Sequence, residues 1–257
     1  GYRIVKQLGH GAMGDVYLAR QISLDRDVAI KTIRPQWAGN PAFIARFTRE
    51  AYAAAQLTHH NVVQIYDLGV DGEHHYFSME FVRGEALDQI VKREGPLAPR
   101  VAAGYVLQAA RGLLFAHQFG MVHRDVKPAN LMLNDQGLVK VADLGLVKVP
   151  VSGSEAVPAI DTPSSSGGSQ SGVAGQRSSM LQSSLSGTLT HFAVGTPAYM
   201  PPEQVDDAAN VDQRADIYSL GCTLYAFLAG RSPFDGMSVM EMIDRHRHQR
   251  IELPTAI

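Results

Sequence analysis

Over its first third the chain alternates apolar and polar residues with a period of two. Tyr2 to Leu8 reads as a strand, and Asp15 to Arg20 as another, with Val16 and Leu18 on one face and Tyr17 on the other. A polar turn, Ser23 to Arg26, leads to a third strand, Asp27 to Ile33. Asn61 to Val70 and His74 to Phe81 form a hairpin pattern around Asp71-Gly72. Between these runs the period changes: Pro41 to Leu57 carries Phe43, Phe47, Ala51 and Ala54 along one helical stripe, with Glu50 near it and Arg46 and Arg49 toward solvent. Later segments are helical. Glu85 to Arg93 is a short helix, Gly95-Pro96-Leu97 a break, and Pro99 to Phe119 a long helix. Val101, Tyr105, Leu107, Leu113 and Leu114 predict that this long helix is mostly buried. Val211 to Leu228 and Met237 to His246 are two more, separated by Gly230 to Phe234. Strands first and helices afterwards predict an α+β fold.

Composition narrows the class. The 257 residues are 45% hydrophobic and 19% charged, enough apolar content for one large domain or two packed lobes. A formal charge of −2 argues against a nucleic-acid binder or a membrane-surface protein. Cys222 is the single cysteine, so no intrachain disulfide forms and a reducing compartment fits. Its apolar helical setting predicts a buried, inert thiol. His59-His60, His74-His75 and His246/His248 lack companions at zinc-site spacing, and His117 reads as a satisfied core or surface histidine.

The densest chemistry lies in His123-Arg124-Asp125-Val126-Lys127-Pro128-Ala129-Asn130, between the apolar runs Gly120-Met121-Val122 and Leu131-Met132-Leu133. Asp143-Leu144-Gly145 follows beyond a short apolar hairpin. A polar loop between hydrophobic anchors is a usual mount for catalytic groups. The spacing suits phosphoryl transfer: one carboxylate takes the acceptor hydroxyl, while an amide and a second carboxylate hold magnesium on nucleotide phosphates. Gly9-His10-Gly11-Ala12-Met13-Gly14 is weak evidence alone, since a dinucleotide-binding turn shares the pattern. That rival requires a helix after the third glycine, and a strand follows here. A glycine-rich hairpin tip can cover phosphates with backbone N–H groups. Lys31 stands among apolar neighbours and needs an anionic partner, for which Glu50 is in reach; a surface lysine at a strand end is the alternative.

In order along the chain, Gly9-x-Gly11-x-x-Gly14-x-Val16, Val28-Ala29-Ile30-Lys31, His123-Arg124-Asp125, Asp143-Leu144-Gly145 and Pro201-Pro202-Glu203 resemble the motif series of the eukaryotic-type protein kinases. The wording of Gly11 to Gly14 and of Gly195-Thr196-Pro197-Ala198-Tyr199-Met200 resembles the bacterial serine/threonine kinases. The resemblance implies a two-lobed kinase fold. Residues 1–82 would form a small antiparallel sheet lobe with one main helix, and 83–257 a larger, mostly helical lobe. It also implies two or three further C-terminal helices than the chain holds, with an arginine for Glu203.

For the site, the resemblance makes Asp125 the base, Lys127 a stabiliser of the moving phosphoryl, Asn130 and Asp143 the magnesium ligands, and Lys31, held by Glu50, the grip on ATP. Gly9, Gly11 and Gly14 cover the phosphates. Met79 backs the adenine pocket, the backbone of Glu80 and Val82 bonds the base, and Leu8, Val16, Ala29, Met132 and Ala142 sandwich it. Asp216 is implied to bond the backbone of the catalytic loop, an N-terminal helix cap being the rival role. Thr196 would bridge Asp125 and Lys127, or be a turn residue only.

Residues 151–187 are rich in Ser, Gly and Gln, with Glu155, Asp161 and Arg177 the charged exceptions, and predict a disordered insert. It reads equally as a plain spacer or as part of a phosphorylatable regulatory loop. In the second reading Thr188 or Thr190 is the site and Arg124 receives the phosphate. The partners expected are ATP and protein Ser/Thr acceptors, with transient pairing of two copies for autophosphorylation, and neither nucleic acid nor membrane contact in this segment. The location expected is cytoplasmic, alone or as part of a larger membrane-anchored protein. A pseudokinase is the alternative from another class, but Lys31, Asp125 and Asp143 are all present. Leu144 and Pro202 depart from the family's usual phenylalanine and alanine. A small-molecule kinase would share the phosphate machinery but not the peptide-docking segment Gly195 to Glu203.

Overall fold

The computed structural model describes residues 1–10, 14–34, 37, 39–144, 196–207 and 210–252, the side chains of Arg46 and Glu50 excepted. Gly11, Thr188, Thr190 and the 151–187 tract lie outside the described residues. The described residues belong to one compact unit.

Five antiparallel strands form the first sheet, in the order β1-β2-β3-β5-β4: β1 Tyr2–His10, β2 Asp15–Gln21, β3 Arg26–Thr32, β4 Ile65–Asp71 and β5 His74–Glu80. The central strand β3 is apolar through Val28-Ala29-Ile30, all buried, and so carries Lys31 to the sheet's interior edge. Its register sets Val16 opposite Lys31 and Met79 opposite Ala29. Helix α1, Pro41–Ala55, starts at Asn40, whose side chain accepts the Phe43 N–H, with Pro41 at its first position. Its stripe packs Phe47, Ala51 and Ala54 against Ile33, Ile65 and Phe77, as the helical period requires.

A second sheet orders β6 (Gly84–Ala86), β7 (Leu131–Asn134) and β8 (Val139–Val141). Against it pack α2 (Leu87–Glu94) and α3 (Pro99–Gln118); α5 (Arg214–Ala229) packs on α3, and α4 (Pro202–Asp206) on α6 (Val239–His248). The larger core joins Leu87, Ile90, Leu113, Leu131, Val139, Val141 and Phe227. The short strand β6 is a finding the sequence pattern does not anticipate, because its three residues gain their order from pairing with β7.

Helix α3 corrects one expectation. Val101, Leu107 and Leu114 are exposed, and the buried side is Ala102, Ala109, Gly112, Leu113 and Ala116. Close approach explains it: a Cβ at Gly112 would sit 2.5 Å from the Asn61 carbonyl oxygen. Small residues let the helix backbone lie against its neighbours, and the larger apolar side chains are turned outward. Helix α5 begins three residues later than the pattern suggests, with Asp212 accepting the Arg214 N–H in the preceding turn. It ends at Gly230, whose φ of 72° is a left-handed cap.

Candidate active site

The loop after α3 enters through Gly120 and is pinned from below by Asp216. This carboxylate is buried on α5 and accepts the N–H of His123 at 2.8 Å and of Arg124 at 2.7 Å, with His117 Nε2 at 2.7 Å. Arg124 is thereby held at φ 64°, a left-handed conformation rare for a long side chain. Such strain costs about 1–3 kcal/mol. Hydrogen bonds to a charged group contribute about 1.5–3 kcal/mol each, so the pair of amides on Asp216 suffices to hold it. The implied role of Asp216 is thus seen directly, and His117 is satisfied on the same carboxylate. Gln204 of α4, also buried, donates from Nε2 to the Arg124 carbonyl at 3.1 Å.

His123 joins this loop to the segment of Asp143. A carbonyl only accepts, so Nε2–H donates to Ala142 O at 2.9 Å, and Nδ1 is left to accept the Asp125 N–H at 3.3 Å. The ring is buried and neutral in this arrangement. No role for His123 followed from the sequence reading; its signal was position alone, next to two charged residues between apolar runs.

Asp125 faces Lys127 and Asn130. Lys127 Nζ lies 2.9 Å from Asp125 Oδ2 and donates to Thr196 Oγ1 at 2.6 Å, so Lys127 is the link between the carboxylate and the hydroxyl. Asn130 sits in the 3-10 turn Pro128–Asn130, and its Nδ2 donates to the carbonyl and to Oδ2 of Asp125 at 2.8 and 3.0 Å. With the amide nitrogen so engaged, the remaining Asn130 donor atom is an oxygen. Asp143, at φ 57°, brings Oδ1 to 2.7 Å from Lys31 Nζ. Burial pushes the Asp143 carboxyl up, but the Lys31 ammonium, by charge and hydrogen bond, outweighs it and holds the pKa below the usual value.

The structure therefore brings Lys31, Asp125, Lys127, Asn130, Asp143 and Thr196 into one connected cluster. Lys31 has Asp143 as its partner, while the Glu50 side chain lies outside the described residues. An oxygen of Asn130 and one of Asp143 suit a hard cation that keeps other ligands on water and phosphate, as magnesium does. Among the described residues no group of three or more His, Cys, Asp or Glu converges as a metal site.

On the nucleotide side, Gly9 has open space where a Cβ would stand, whereas one at Gly14 would lie 1.5 Å from the Thr32 carbonyl. Gly14 is thus required by contact with β3. Leu8 is exposed, Val16 and Met132 half-buried, and Ala29 and Val82 buried. Met79 lines a narrow apolar recess with Ala54, Phe77, Val141 and Leu144 beside Asp143. Leu144, which stands where the family usually has phenylalanine, is buried in the larger core. The Glu80 N–H donates to Gln64 O at 2.8 Å. Its carboxylate holds Lys140 of β8 at 2.9 Å, a tie between β5 and β8 that the sequence did not disclose.

A family model described as "Protein kinase domain" matches residues 2–256. The chain belongs to the protein kinase domain family. Within it, the serine/threonine-protein kinase PknB of Mycolicibacterium smegmatis is 38% identical over 249 residues, covering 95% of this chain and 35% of that protein. PknB of Mycobacterium tuberculosis gives the same figures. PrkC of Bacillus subtilis, also a serine/threonine-protein kinase, is 35% identical over 255 residues, covering 99% of this chain and 34% of that protein. This kinase domain therefore spans about a third of the length of these relatives. The two-lobed kinase fold, a β-sheet lobe and helical regions, agrees with that membership.

Proposed function

We propose that the chain is a serine/threonine protein kinase that transfers the γ-phosphoryl group of ATP to protein hydroxyls. The acceptor Oγ bonds to the γ-phosphorus as the bond to the β-phosphate oxygen breaks, ADP leaves, and the hydroxyl proton passes to Asp125. Lys127 offsets charge on the moving phosphoryl. Lys31 meets the α- and β-phosphates, and Gly9, Gly11 and Gly14 keep the loop backbone near them. Asn130 and Asp143 would hold magnesium, which supplies charge neutralisation on the phosphates when bound. Val16, Ala29, Met132 and Ala142 frame the base with Leu8, Met79 stands behind it, and the Glu80 carbonyl and Val82 backbone bond its edge.

The observation that carries this reading is the Asp125–Lys127–Thr196 chain beside the Lys31–Asp143 pair. Thr196 brings the substrate-docking segment to the catalytic loop, which favours a peptide acceptor over a small molecule. The relatives' names support the same choice. A pseudokinase is disfavoured because Lys31, Asp125 and Asp143 are all present and each is paired, Lys31 with Asp143 and Asp125 with Lys127. The test is radiolabelled ATP with magnesium and a basic protein acceptor, wild type beside Asp125→Asn. The variant is expected to lose transfer while retaining nucleotide binding; labelling at the wild-type rate would remove Asp125 as base.

Activation is proposed to follow autophosphorylation of Thr188 or Thr190 between two transiently paired copies, with the phosphate received by Arg124. Mass spectrometry of the active enzyme is expected to find one of these threonines modified, and both bare would refute it. We place the kinase unit in the cytoplasm, where ATP and a reducing poise fit Cys222. Among the described residues no helix is long and apolar enough to cross a membrane.

A further inference from the structure

The 3-10 turn Pro197–Tyr199 follows Thr196 directly and is held from two sides. From α5, Ser219 Oγ donates to the Tyr199 carbonyl at 2.8 Å. From α6, His246 reaches under it. This imidazole is buried at 4% exposure on a helix whose other late residues, Arg245, Arg247 and His248, are exposed. Its Nδ1 lies 2.6 Å from the Tyr218 hydroxyl, and the Phe234 ring stands edge-on to it at 4.8 Å. Nε2 is buried and makes no hydrogen bond of ordinary geometry, and the backbone of Ala198 and Pro197 bears on the ring. Carbonyls accept only, so the ring that satisfies both sides carries its proton on Nε2 and accepts from Tyr218.

A buried polar ring is costly unless it does something an apolar one cannot. We infer that His246 is a positioning residue for the protein substrate: its Nε2–H steadies the Pro197–Ala198 backbone, and through it the surface that presents an acceptor hydroxyl to Asp125. The inference rests on the kinase reading above. Met200 N–H on Pro197 O and Tyr199 N–H on Thr196 O, at 3.2 and 3.0 Å, are the bonds that close the turn His246 supports.

The surroundings also make the device pH-dependent. Tyr218 of α5 and Phe234 of the connection border the ring without a charge. Of the charged groups on adjoining elements, Arg247 is paired with Asp206 of α4, Glu203 bears on Tyr218, and Asp235 on Tyr199. Burial lowers the His246 pKa from the ordinary histidine value, the Ala198 and Pro197 backbone opposing. Protonation adds a hydrogen at Nδ1 and ends its acceptance from Tyr218, while Nε2–H is kept. Because the folded value is lowered, the Tyr218 tie that orients the ring is complete above the ordinary value and is lost as pH falls through the folded one.

The experiment compares wild type with His246→Phe, His246→Gln and Tyr218→Phe in steady-state kinetics with a serine peptide, alongside amide hydrogen exchange. His246→Phe is expected to raise KM for peptide several-fold with KM for ATP unchanged, and to speed exchange at Tyr199 and Met200 but not in α3. His246→Gln keeps a donor near the Nε2 position, so it is expected to restore peptide KM while flattening the acid limb of kcat/KM. Tyr218→Phe, a milder change should His246→Phe fold poorly, is expected to shift both readouts in the same direction by less. Unchanged exchange at Tyr199 and Met200, or equal rises in both KM values, would overturn the proposal. If wild type transfers no phosphate to any peptide, the kinase reading fails, and the exchange result still decides the role of His246.

Discussion

Lys31 and Asp143 lie 112 residues apart in sequence and 2.7 Å apart in space, so the ammonium acts directly on the carboxylate. Lys31 has 12% of its side chain exposed and Asp143 has 38%, which makes the pair only partly shielded. Breaking a fully buried pair costs about 3–5 kcal/mol, and exposure of this order reduces that to about 1–2 kcal/mol. Lys31→Met is therefore expected to destabilise the fold by that smaller amount in urea unfolding. The clearer readout is titration. Burial, which raises the Asp143 pKa, is at present outweighed by the ammonium. Without Lys31, the carboxyl is expected to titrate above the ordinary aspartate value, observable by NMR of its carboxyl carbon. The stability it contributes is present above the unfolded value of about 3.9 and is lost as pH falls through the folded one. In Lys31→Met the sign reverses: with its folded value above the unfolded one, the carboxyl should cost stability at neutral pH, and that cost should be relieved as pH falls through the raised folded value toward the unfolded one.

Between elements, Asp216 carries the connection from α5 to the catalytic loop. Asp216→Ala would leave two buried N–H groups, those of His123 and Arg124, without an acceptor, and His117 without its partner. The expected loss is about 3–5 kcal/mol, from unpaired buried donors at about 1–3 kcal/mol each. It should appear in urea unfolding as a lower midpoint, and in kinetics as a fall in kcat exceeding any change in KM for ATP. Elements like β3 and α1 were legible because their burial follows a local period: Val28 to Ile30 are buried, and Phe47, Ala51 and Ala54 form one stripe. Helix α3 departs from its pattern because side-chain size does not mark depth there: Gly112 and the alanines make the close contact, and Leu107 and Leu114 face out. The residues that carry charge in the site were legible from their spacing. Their supports were not: His123 on Ala142, Gln204 on Arg124 and Lys140 on Glu80 depend on contacts between distant segments, which no local pattern encodes.

Across the whole unit, α5 joins the catalytic loop through Asp216, the substrate turn through Ser219, and the α2–α3 connection through Phe227, whose carbonyl accepts the Leu97 N–H at 2.7 Å. In its middle lies Cys222, 1% exposed, its thiol pushed up to about 12 mainly by burial. At pH 8 such a thiol is ionised in roughly one molecule in ten thousand, and alkylation requires the thiolate. Native labelling by iodoacetamide thus depends on openings that expose α5, and α5 is bonded to the site. If these openings also dismantle the catalytic loop, a nucleotide that binds only the closed form must suppress them. At a nucleotide concentration of 100 Kd the suppression is about 2.7 kcal/mol, or about a hundredfold. Magnesium-ATP at that level is expected to slow Cys222 labelling by about that factor, measured by mass spectrometry over time. The Asp125→Asn variant, which is expected to keep nucleotide binding, should show the same protection without turnover. Labelling that ignores bound nucleotide would mean that α5 opens independently of the cleft, and that the Asp216 tie does not couple them.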